Sequence, residues 1–170
     1  MRVKNVHERR MSYPASSVGA LIDTLASEDD RLWPNEMWPP MKFDKGLQVG
    51  AKGGHGPIRY TIQSYEPGES IRFEFTGPRG FDGYHAFVME EASDRVVLRH
   101  ILEMRAKGAA MISWPLVFRP LHDALIEDGF DKAEKYLGGS PSARAWSWWV
   151  KALSWVFRRV NSPARHSTAN

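Results

Sequence analysis

A chain of 170 residues has room for one domain, with a core large enough to need neither a disulfide nor a metal to hold it. It has no cysteine, which excludes disulfides, thiolate zinc sites and a cysteine nucleophile, and makes a cytoplasmic setting the expectation. The net charge of +3 comes from residues 140–170, where five basic side chains meet no acidic one; residues 1–139 carry 18 basic against 20 acidic groups, so nucleic acid is not an expected partner.

In chain order, Met1 to Arg10 is charged throughout and lacks the apolar centre of a signal peptide. Val3 to Tyr13 has the mixed character of a strand, but the residues do not say which face turns inward. Pro14-Ala15-Ser16-Ser17 opens a helix, with Val18, Leu21, Ile22 and Leu25 on one face. Trp33-Pro34 and Trp38-Pro39-Pro40 interrupt regular structure and predict a lid-like or packing loop. Gly50 to Gly56 lacks the order of a phosphate-binding loop and no helix follows it, so it reads as a flexible connection near a cavity mouth.

Two hairpins follow. Pro67-Gly68 supplies the fixed φ and then the positive φ of a tight turn, which sets Tyr60 opposite Phe75 and Ile62 opposite Phe73. A turn at Ser93-Asp94 sets His85 opposite Leu102, Phe87 opposite His100, and Met89 opposite Leu98. Across the loop from Gly77 to Gly83, Phe75 is expected beside His85 and Phe73 beside Phe87. All three pairings agree on one apolar inward face, with Arg59, Thr61, Arg72, Glu74, Arg99 and Glu103 outside.

Ala109 to Leu137 reads as a long helix with a kink at Pro115 or Pro120, ended by Gly138-Gly139. Its most apolar stretch, Ala109 to Phe118, is ten residues long, about half of the roughly 20 needed to cross a bilayer. A second helix is predicted over Ser142 to Val160. Trp146, Trp149, Leu153 and Phe157 share one arc and Arg144, Lys151, Arg158 and Arg159 the other. That arc would dock on the domain, on a second subunit in a homo-oligomer, or peripherally on a membrane.

A sheet with one apolar face followed by a long helix makes a two-layer α+β domain. The order of elements resembles the helix-grip fold of the START-like (SRPBCC) superfamily, in particular its polyketide cyclase/dehydrase-like branch. Tyr13-Pro14-Ala15, Tyr65-Glu66-Pro67-Gly68-Glu69 and Trp114-Pro115-Leu116 through His122-Asp123-Ala124-Leu125 carry the resemblance. It covers residues 3–138, within a domain expected at 1–139, with 140–170 as a basic, tryptophan-rich tail. The resemblance implies a curved antiparallel sheet around a long helix, and a cavity for a lipid, hormone, quinone or polyketide. It implies no shared catalytic set and no cofactor.

The expected ligand-facing residues are Tyr60, Phe73, Phe75, His85, Phe87, Met89, His100 and Leu102 from the sheet, and Trp114, Phe118 and His122 from the helix. His85, His100 and His122 are the candidate acid-base groups, either as polar anchors for a ligand or as buried histidines satisfied by the protein. No metal is expected, because HExxH and ligand-like spacing are missing. Binding of a hydrophobic small molecule, as carrier or sensor, is the leading reading. A cyclase, dehydratase or hydrolase using the same histidines is the alternative, and a membrane-peripheral lipid or quinone chaperone is the third.

Overall fold

The computed structural model describes residues 1–92, 95–142 and 144–161. Seven antiparallel strands form one sheet: β1 (Arg2–Met11), β2 (Lys42–Phe43), β3 (Lys52–His55), β4 (Ile58–Glu66), β5 (Ser70–Gly77), β6 (Phe81–Ala92) and β7 (Arg95–Ala106). Their order is β1-β7-β6-β5-β4-β3-β2, so the first strand crosses over to close one edge. Helix α1 (Ala15–Asp23) lies between β1 and β2 in sequence. After the sheet come α2 (Ala110–Ser113), a π-helical turn (Trp114–Phe118), α3 (Arg119–Tyr136) and α4 (Trp148–Asn161).

The hairpin registers follow the expected alternation. Tyr60 pairs with Phe75, Ile62 with Phe73, His85 with Leu102, and Phe87 with His100. Two irregularities, at Arg59/Tyr60 and Ile62/Ser64, shift the pairing at the ends of β4 by one residue, so Gly77 meets Arg59 and Ile71 meets Tyr65. The β5–β6 register differs by two. Phe73, not Phe75, pairs with His85, and Ile71 takes the place beside Phe87. A slip of two keeps the parity of both strands, so the same side chains still point inward.

Two other expectations are corrected. The glycine run is not a loose connection: Lys52–His55 is a paired strand, and a Cβ on Gly53 would run into the Lys42 carbonyl. The proline kink in the grip helix is a π-helical turn over Trp114–Phe118, in which Pro115 has no N–H to give to the ladder.

The long helix is held over β1 by charge rather than by grease. Val3 and Met11 are buried at the ends of β1, but Asn5, His7 and Arg9 stand between them on the same face. Asn5 donates to Asp123, His7 bridges Asp123 and Glu127, and Arg9 reaches Glu127, Asp131 and Glu134 at 2.7–3.1 Å. Those acids recur every three or four residues along one stripe of α3. The other side of α3 buries Leu125, Ile126, Phe130 and Ala133 in the core.

Candidate ligand cavity

A cavity of about 550 Å³ lies between sheet, grip helix and tail, within the usual range for small-molecule sites. Each wall comes from a different element. The sheet supplies Phe75, Phe81, His85, His100 and Leu102, and the grip helix supplies Trp114, Phe118, Leu121, His122, Leu125 and Ile126. The loop after α1 contributes Trp33 and Trp38, the β3 end contributes His55, and α4 contributes Ser154 and Phe157.

Seven of the eleven expected lining residues are in this wall: Phe75, His85, His100, Leu102, Trp114, Phe118 and His122. Tyr60, Phe73 and Phe87 point inward too, but they are buried in the solid core, and Met89 packs against it. Phe73 stacks on His85 with ring centres 4.7 Å apart, so it supports the cavity wall from behind.

The loop holding Trp33 and Trp38 is packed, not free. Asp30 accepts the backbone N–H groups of Ala26, Leu32 and Trp33, which closes the chain into a tight turn. The Trp33 indole donates to the Pro39 carbonyl, and Trp38 donates to Asp128 on α3. Trp146 donates to the same Asp128 carboxylate and sits 5.1 Å from Trp38, ring centre to ring centre. Trp146 therefore precedes α4 and anchors it, while Val150 and Ser154 are buried beneath the helix. Leu153 is half-buried, and Trp149 donates to the Leu116 carbonyl in the π-helical turn.

Four histidines, with Asn35, Glu36 and Ser154, form the polar part of the cavity. His85 Nδ1 and His100 Nε2 are 3.2 Å apart, and both residues are almost wholly buried, at 3% and 1% exposure. Burial, and then the neighbouring histidines, hold both well below the usual imidazole range, so both are neutral. One must donate to the other. The outer nitrogens, His85 Nε2 and His100 Nδ1, have no hydrogen-bond partner among the described residues, and they are left as one donor and one acceptor whichever tautomer holds. His122 stands 4.9 Å from the His100 ring, with both of its nitrogens buried and unpartnered. Across the cavity, His55 Nδ1 shares a 3.0 Å hydrogen bond with the Tyr60 hydroxyl, and burial pushes it down to about 3.

The sequence reading missed His55, Trp33, Trp38, Phe81 and the α4 contribution. His55 was hidden by the glycines around it, and Ser154 and Phe157 required the docking of α4 to be seen. The arrangement can enclose an apolar molecule in a wall that carries His55, His85, His100 and His122.

No family model matches the sequence, and no curated protein is similar to it. Solved structures are similar in fold. CalU16 from Micromonospora echinospora matches with a TM-score of 0.55 at 16% identity, covering 92% of this chain and 84% of that one. Norcoclaurine synthase from Thalictrum flavum, in complex with dopamine and hydroxybenzaldehyde, matches at 0.59 and 14%, covering 84% and 90%. The di-domain ARO/CYC StfQ from the steffimycin biosynthetic pathway matches at 0.56 and 10%, covering 81% of this chain and 52% of that one. At these identities the likeness establishes the fold alone: a curved sheet gripping a long helix.

Proposed function

We propose that this helix-grip protein binds an oxygenated aromatic small molecule in its cavity, as a carrier or sensor. The observation that carries the reading is the hydrogen-bonded His85–His100 pair set in an aromatic-lined cavity of about 550 Å³. Apolar walls would drive binding by burial, and the imidazoles of the wall would favour ligands that carry a hydroxyl or carbonyl oxygen. The named molecules of similar structures support the class: one holds dopamine and hydroxybenzaldehyde, and another belongs to the steffimycin pathway.

Fluorescence titration with a hydroxyquinone and with an unsubstituted polycycle of equal size tests this. The wild type is expected to prefer the hydroxyquinone, and His85→Leu should remove roughly 3–10-fold of that preference, the worth of one hydrogen bond. Equal binding of the two probes by the wild type would sink the reading.

A second reading is catalytic, and the same pair favours it. A neutral dyad can take a proton from one ligand atom on one outer nitrogen, pass its inner proton across the 3.2 Å contact, and give the proton of the other outer nitrogen to a second, distant atom of an extended ligand. No charge is created, which suits a site that disfavours imidazolium. Such a relay would serve enolisation during cyclisation or dehydration. Loss of turnover with retained probe affinity in His100→Gln would distinguish it from carriage.

A third reading, loading from a membrane, is supported by the outer face of α4, where Trp148 is 77% and Trp155 54% exposed beside Lys151 and Arg159. Because α4 also walls the cavity, its removal would confuse two effects. Liposome flotation of Trp148→Ser/Trp155→Ser against the wild type separates them, and equal flotation would exclude this reading.

A further inference from the structure

Behind the cavity wall, three ligating atoms converge where β1 meets α3. His7 Nε2 lies 3.1 Å from Asp123 Oδ1, and His122 Nδ1 lies 3.6 Å from the same oxygen. All three atoms fall within 4.8 Å of one another. Two ligands on a tetrahedral zinc ion, each about 2.0–2.1 Å from it, stand roughly 3.3 Å apart. The two spacings to Asp123 Oδ1 bracket that value. We propose that His7, His122 and Asp123 bind a divalent transition-metal ion of the zinc class.

Four further observations point the same way. His122 is half-buried, yet both of its nitrogens are occluded and have no hydrogen-bond partner among the described residues, an uncommon state for occluded polar atoms. At 3.6 Å its contact with Asp123 is too long for a hydrogen bond, and an ion between the two would satisfy both. His7 Nδ1 is held at 2.8 Å by Glu127, which orients the ring so that Nε2 faces the site. Carboxylates hold metal-bound histidines in this way. Asn5 Nδ2 likewise fixes the Asp123 oxygen at 2.8 Å.

Two histidines and one carboxylate leave a further coordination position free for water or ligand. His122 belongs both to this site and to the cavity wall, so an ion here would stand next to a bound small molecule. The proposal does not depend on what fills the cavity. The site joins β1 to the grip helix, so an ion would also tie these two elements together.

The test uses the full chain, dialysed against a chelator and then titrated with zinc chloride by calorimetry and with cobalt chloride by visible absorption. One equivalent is expected to bind with a Kd at or below the micromolar range, with cobalt bands typical of nitrogen and oxygen ligands. Asp123→Asn and His122→Asn should each weaken binding at least tenfold, whereas His85→Leu should leave it unchanged. Circular dichroism establishes that each variant is folded. As a second readout, saturating zinc should raise the Tm of the wild type but not that of His122→Asn. No stoichiometric binding, or binding that both substitutions leave intact, overturns the proposal and leaves His7 as an imidazolium bridging two carboxylates.

Discussion

His55 is enclosed by the Trp33 ring at 4.6 Å and the Tyr60 hydroxyl at 3.0 Å, and is kept neutral there. Burial pushes it down to about 3, below its ordinary value of 6.5. A histidine depressed by folding takes up its proton only in the unfolded chain between those two values. Stability is therefore lost as pH falls from about 6.5 towards 3, at up to about 1.4 kcal/mol per pH unit for one group. Chemical denaturation of His55→Phe across pH 4–6.5 should show a shallower acid slope than the wild type. Parallel slopes would mean that His55 is already charged in the folded state. The residues that sequence reasoning could find are those whose neighbours alternate cleanly. His85 and His100 sit in strands with period-two patterning, so their inward direction was legible. His7 was not, because Asn5, His7 and Arg9 give the inner face of β1 no apolar signature.

At the scale of elements, two contacts decide how the grip is assembled. Gly19 on α1 lies against the β4–β5 turn, and a Cβ there would strike the Gly68 carbonyl. Alanine would favour the helix by up to about 1 kcal/mol, but the clash is with backbone, which gives way poorly. Gly19→Ala is therefore expected to destabilise by about 1–3 kcal/mol, seen as a drop of about 2–10 °C in Tm. An unchanged or higher Tm would show that α1 can move off the turn. Arg9 presents the opposite case, a cation shared among three carboxylates in a half-buried seam. Arg9→Met removes the counter-charge and leaves the acids facing each other. Its cost should be about 2–3 kcal/mol, below the roughly 3–5 of a fully buried pair because solvent reaches this one. Double substitution with Glu134→Gln should recover part of the loss, and strict additivity would deny the coupling. The central registers of β4–β5 and β6–β7 match the sequence reading, while the turn expected at Ser93-Asp94 lies outside the described residues. The β5–β6 pairing does not match, because β6 begins as early as Phe81 and a two-residue slip leaves every face unchanged.

At the scale of the whole molecule, the cavity is the product of all its parts. The fold class was readable because three hairpin pairings converged on one face and a long helix followed. The cavity's outline was less so, since Trp33, Trp38, Ser154 and Phe157 come from segments with no periodic relation to the sheet. The amphipathic helix expected over Ser142 to Val160 starts at Trp148 and closes the cavity with its inner face. No helix among the described residues is long and apolar enough to cross a membrane. Filling the void should abolish binding while preserving the fold: Leu121→Trp is expected to lower probe affinity at least tenfold with little change in far-ultraviolet circular dichroism. Native mass spectrometry of the purified protein, followed by organic extraction, tests the central claim most directly. A defined aromatic compound bound one per chain in the wild type, and lost in Leu121→Trp, is the predicted result. A wild-type chain that carries nothing and binds no apolar probe at micromolar concentration would contradict it.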